Sequence, residues 1–85
     1  MNEVWQDKIP PQDIEAEQAV LGAIFLDSDT LIDAMEIVTP RSFYRRSHQI
    51  IFQSMIQLSN RGEAIDLVTL KAEIEKSNAL EDIGG

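Results

Sequence analysis

The sequence predicts an all-α fold, a small orthogonal or bundle-like helical domain of four main helices plus a short helical turn. Three observations lead there. Apolar residues recur at i, i+3, i+4 and i+7 in separate segments, the spacing of one face of an α-helix. No segment alternates polar and apolar residues over the length of a strand. The periodic segments are joined by connections of two to five residues, the lengths that join helices in bundles.

Residues 1–12 show no periodicity and end in Pro10-Pro11, which removes two backbone donors and biases the preceding residues to extended conformations. They read as a flexible arm. The first helix is expected to start at Asp13, whose carboxylate can cap it, and to run to about Leu26. Glu15 falls in its first turn, near the positive end of the helix dipole. Ile14, Leu21 and Phe25 share one stripe and Val20 and Ile24 the next, so the second half is apolar over most of its circumference, as expected of the central helix. Gly22 costs about 1 kcal/mol against alanine in a helix interior, which predicts another backbone close by.

Asp27-Ser28-Asp29-Thr30 offers a turn and a fresh cap. Leu31, Ala34, Met35 and Val38 then form the inner face of a short second helix that ends at Thr39-Pro40. Thr39 can cap a helical step with Pro40 in its first position, running through Phe43. Ser47 opens a third main helix, with Ile51, Phe52, Met55, Ile56 and Leu58 on one face and Gln53, Ser54, Gln57 and Asn60 on the other. Arg61-Gly62 is a helical exit. Asp66 caps a fourth helix with Leu67, Leu70 and Ile74 inside and Lys71, Glu75 and Lys76 outside. After Ser77-Asn78 a new short pattern begins at Leu80 and is cut off at Gly84-Gly85, so the protein is expected to continue. The domain proper is thus expected over residues 13–78.

The chain has 85 residues, no cysteine, and 15 acidic against 7 basic side chains, a formal net charge of -8. That length suffices for one core that hides roughly 60–65% of the unfolded surface. Without cysteine there is no disulfide framework and no thiolate zinc site, so the expected location is cytoplasmic. The start of the chain lacks the basic and apolar regions of a signal peptide, and no apolar run approaches the ~20 residues of a membrane span. Residues 1–40 hold nine acids and one base, whereas residues 41–85 hold six of each. This balance disfavours phosphate, so weak or no nucleic-acid binding is expected of the domain alone, and a basic or mixed-charge protein is the better partner. Arg41, Arg45 and Arg46 around Phe43 and Tyr44 form one local basic patch, read as a solvated helix start whose aromatic residues belong to the core.

Chemistry-bearing patterns are sparse. No Gly-rich loop ends in Lys-Ser or Lys-Thr, so the phosphate cradle of a nucleotide-hydrolysing site is missing. His48, the single histidine, lies at helical spacing from Ile51, Phe52 and Met55 and reads as a residue at the edge of the core. Glu15/Glu17 and Asp27/Asp29 are spaced too awkwardly for shared acid-base work or a cation cage, and read as solvated charge. No catalytic residue, metal ligand or cofactor box is expected. One alternative rests on Asp27-Ser28 at the start of the second helix: an acidic four-helix domain of this size resembles an acyl or peptidyl carrier protein, in which Ser28 would carry phosphopantetheine. The carriers usually have Asp-Ser-Leu there, whereas Asp29 follows Ser28 here.

Four blocks carry a second resemblance: IPPQDIEAEQAVLGAIFLD at 9–27, SFYRRSHQIIF at 42–52, RGEAIDLVTL at 61–70 and LEDIGG at 80–85. In that order and spacing they closely resemble the N-terminal domain of bacterial replicative DNA helicases of the DnaB family. The resemblance implies a hexameric, ATP-driven ring in which this domain is a helical head in an N-terminal collar. ATP and magnesium are expected only in a RecA-like C-terminal motor of the full-length parent, so this fragment is expected to be no enzyme. In the family a helical hairpin follows the head and pairs subunits; residues 79–85 would lead to it, and the head without it is expected to be mostly monomeric. The collar also receives the primase C-terminal domain and contacts the helicase loader. Taken with the acidity of the first half, this places the expected partner surface at Glu15, Glu17, Gln18, Arg45 and Arg46.

Overall fold

The computed structural model describes residues 13–83, with side chains through Ser77. The arm expected over residues 1–12 and the closing Gly84-Gly85 lie outside the described residues. The element order is α1 (Ile14–Leu26), α2 (Thr30–Met35), a 3-10 turn (Pro40–Ser42), α3 (Arg46–Asn60) and α4 (Leu67–Ile83). The described residues contain helices and turns and no strand, which bears out the all-α expectation.

The starts of α1, α2, the 3-10 turn and α4 follow from local hydrogen bonds. Asp13 accepts the Ala16 amide at 2.9 Å and so satisfies one of the open donors of α1. In the turn between α1 and α2, Asp27 accepts the Asp29 amide through its side chain and the Thr30 amide through its carbonyl. The Thr39 amide donates to the Ser42 hydroxyl at 3.1 Å, closing the 3-10 turn around Pro40. At α4 the bonds are reciprocal: Thr69 N–H donates to the Asp66 carboxylate at 2.9 Å, and Asp66 N–H donates to the Thr69 hydroxyl at 3.0 Å.

The exit of α3 is a Schellman turn. Gly62 takes the left-handed φ of 74°, its amide donates to Ser59 O at 3.0 Å, and the Glu63 amide donates to Leu58 O at 2.9 Å. The break expected after Ser77-Asn78 is absent, because α4 continues to Ile83. Neither serine nor asparagine removes a backbone donor or demands a left-handed conformation, so both are tolerated inside a helix.

The core gathers Leu21 and Ile24 from α1, Leu31 from α2, Val38 and Phe43 from the connections, Phe52, Met55 and Leu58 from α3, and Leu70 from α4. Phe43 and Phe52 stack at a tilt of 40° with ring centroids 5.1 Å apart. The helix at the centre is α3, which packs on α1, the 3-10 turn and α4; the sequence assigned that place to α1. The apolar circumference of α1 includes the small residues Ala19, Gly22 and Ala23, which are exposed, and Leu26 at its end is 87% exposed. Gly22 is likewise not a point of close approach, since a Cβ built there would meet nothing within 4 Å. Ser54, expected on the outer face of α3, is buried. Leu67, expected inside, stands 74% exposed in the first turn of α4, and Met35 at the end of α2 is also exposed.

Candidate functional site

Glu17 follows the inner stripe of α1, at i−4 from Leu21 and i−7 from Ile24, and has 0% of its surface exposed. Its carboxylate is satisfied from across the fold. One oxygen accepts the Tyr44 amide at 2.6 Å; the other lies 2.7 Å from His48 Nδ1 and accepts a longer bond from the Arg45 amide at 3.4 Å. An ionised carboxylate only accepts, so the hydrogen between Glu17 and His48 resides on Nδ1.

This arrangement anchors the approach to α3. Arg45, the residue preceding α3, makes no side-chain capping bond, and the amides of Tyr44 and Arg45, which lead into the positive end of that helix, donate to the Glu17 carboxylate. Burial pushes the Glu17 carboxyl up, but the hydrogen bonds from Tyr44, His48 and Arg45 outweigh it and hold the group below the usual glutamate range. Glu17 is therefore a structural keystone. Its expected place on an exposed partner surface is corrected, and His48, read as a residue at the edge of the core, is its buried companion.

The other expected surface residues are exposed: Glu15 and Gln18 on the first turns of α1, and Arg45 and Arg46 at the start of α3. Glu17 brings these two stretches together, because the same helical turns that carry Glu15 and Gln18 bond the backbone of Tyr44 and Arg45. Arg46 donates to Gln49 Oε1 at 3.2 Å, and Gln49 donates to Phe43 O at 2.7 Å, which braces the approach to α3. Gln18 is thus exposed beside the junction of α1 with the start of α3, whereas Glu15, two residues from the inward Glu17, is exposed on the opposite side of α1.

A second charged cluster ties the α3 exit to α4. Arg61 forks onto Glu73 at 2.7 and 3.3 Å and reaches Glu63 at 3.1 Å. Lys76 approaches Glu73 at 3.6 Å. The Arg61 guanidinium holds the Glu73 carboxyl below its ordinary range despite some burial. Arg61 and Lys76 thus balance the charges of Glu63 and Glu73. Among the described residues no three His, Cys, Asp or Glu side chains gather to hold a metal, and no helix is long and apolar enough to cross a membrane.

Residues 9–85 match the family model described as the DnaB-like helicase N terminal domain. The chain belongs to that family. It is 55% identical over 85 residues to the replicative DNA helicase DnaB of Geobacillus stearothermophilus, covering 100% of this chain and 19% of that protein. It is 51% identical to the replicative DNA helicase DnaC of Bacillus subtilis (strain 168), again over 100% of this chain and 19% of the relative. Among solved structures, the N-terminal domain of DnaB helicase from Mycobacterium tuberculosis superposes with a TM-score of 0.75 at 43% identity, over 91% of this chain and 54% of that one. The DnaB-like chain thus spans about a fifth of the length of these full helicases and has the fold of the DnaB N-terminal domain. The carrier-protein alternative finds no support: Ser28 lies in the turn between α1 and α2, and the match is to helicases over nearly the whole chain.

Proposed function

We propose that this chain is the helical head of the N-terminal collar of a hexameric replicative DNA helicase, supporting ring assembly and receiving the primase C-terminal domain and the helicase loader during DNA replication in the cytoplasm. In this reading ATP- and magnesium-dependent unwinding belongs to a motor domain outside these residues, and the head contributes binding without a catalytic step. The head, expected over residues 13–78, takes in the whole of α4, which runs unbroken to Ile83, ahead of a hairpin that pairs subunits. Membership of the DnaB-like family supports the assignment.

The observation that carries the docking role is that the buried Glu17 carboxylate joins the first turns of α1, which expose Glu15 and Gln18, to the start of α3, which exposes Arg45 and Arg46. Charges of both signs on a braced surface suit a protein of complementary charge and give a polyanion little to hold. Calorimetric titration with the cognate primase C-terminal domain tests it. Glu15→Lys combined with Arg45→Glu should weaken binding about tenfold or more with an unchanged melting temperature. Equal affinity of the variant and the native head would remove this surface from the docking site.

A further inference from the structure

The outer side of the α1–α2 pair is an apolar groove of about 350 Å3, lined by Ala19, Val20, Ala23, Ala34 and Ile37 with Asp33 at its edge. Two stripes build it. On α1, Glu15, Ala19, Ala23 and Leu26 follow one another at i, i+4, i+8 and i+11, so one row runs from an exposed acid over two small residues to an exposed leucine. On α2 and the turn after it, Thr30, Ala34 and Ile37 repeat at i, i+4 and i+7, while Leu31 and Val38 turn into the core. From Ala19 to Leu26 the row is about 10 Å long, two turns of a helix laid alongside it.

The charge around the groove has one sign. Residues 13–40 contain no lysine, arginine or histidine, and Glu15, Asp27, Asp29, Asp33 and Glu36 are all exposed. An apolar trough with small residues on its floor and acids on its rim selects for a large apolar side chain flanked by cations. Nucleic acid would be repelled, and a second α1–α2 face would bring acids against acids.

We propose that this groove docks a helix of the partner protein that inserts an aliphatic or aromatic anchor between Ala19, Ala23 and Ala34 and sets lysines or arginines against Glu15, Asp33 and Glu36. The proposal rests on the docking role assigned above and deepens it by naming the face and the chemistry of the occupant. Glu15 stands at the head of the groove row, four residues before Ala19, where a cation of the bound helix can reach it.

The test is an NMR titration of the isotope-labelled chain with the cognate primase C-terminal domain, repeated with Ala23→Arg and with Asp33→Lys. Ala23 and Asp33 are exposed and their side chains are not among the core contacts, so both variants should melt with the native protein. The proposal expects amide shifts concentrated at Ala19, Ala23, Ala34 and Ile37, affinity lowered about tenfold by Ala23→Arg, and affinity that falls as salt is raised. Binding with shifts elsewhere and no loss in either variant would overturn the groove while leaving the docking role intact. Absence of any binding to the folded chain would overturn both. Self-association of the chain, abolished by Ala23→Arg, would replace the partner helix with a second copy and overturn the proposal.

Discussion

Glu17 on α1 and His48 on α3, 31 residues apart in sequence, meet in the interior with the imidazole Nδ1 2.7 Å from a carboxylate oxygen. Two amides preceding α3 converge on the same carboxylate. A buried carboxylate is costly unless its lone pairs are satisfied, and here donors reach both oxygens. The arrangement therefore fixes the crossing of α1 over the start of α3 more narrowly than apolar contact alone can.

Removing the Glu17 carboxylate should destabilise the fold far more than removing its neighbours on the surface. Glu17→Ala strands three donors and should cost about 3 kcal/mol, which lowers the melting temperature by roughly 12–24 °C in a domain of this size. Glu17→Gln keeps one acceptor and should cost about half as much. Glu15→Ala and Gln18→Ala should lie within about 0.5 kcal/mol of the native protein. Thermal melts followed by circular dichroism check the order.

Stability should fall in acid through the same groups. The Glu17, Asp66 and Glu73 carboxyls are held below their ordinary values in the folded chain, so the unfolded chain takes up protons first as the pH drops. Their contribution is complete above the unfolded carboxylate range of ~4–4.5 and is lost as the pH falls through the lower folded values. Melting temperatures should be flat from neutrality to about pH 5.5 and decline below about pH 4.5. Glu17→Gln should show a shallower acid decline, its curve converging on that of the native protein at the lowest pH.

The two described glycines should respond in opposite directions to alanine. Gly22 is helical and exposed, with nothing within 4 Å of an added Cβ, so Gly22→Ala should stabilise by about 1 kcal/mol. Gly62 has a φ of 74°, and Gly62→Ala should destabilise by about 1 kcal/mol because the side chain strains that conformation. Chemical denaturation of the two variants, at unchanged slope, measures both.

The helices, the caps at Asp13 and Asp66 and the Gly62 exit were legible because each is a local signal, decided within four residues. Tertiary placement was less so. Apolar periodicity marked α1 as central, yet its stripe of alanines and Gly22 contributes little to bury, and α3 with its large residues Phe52, Met55 and Leu58 took the centre. Glu17 looked solvated because charge is normally outside; its position at i−4 from Leu21 was the sign that it points inward, and the helix start expected at Ser47 hid the Tyr44 and Arg45 amides that it bonds. Helix α4 ran past Ser77-Asn78 because weak helix formers without glycine or proline do not stop a helix. Family resemblance, carried by the four sequence blocks, supplied what spacing could not, since a surface of ordinary charged residues has no chemical signature of its own.

We propose that this head folds and docks its protein partner by itself. Sedimentation of the chain alone and mixed with the cognate primase C-terminal domain separates the possibilities. A monomer alone and a 1:1 complex in the mixture, weakened by Glu15→Lys, are expected. A native-like circular-dichroism spectrum with no complex at concentrations of about 100 μM, well above micromolar dissociation constants, would contradict it.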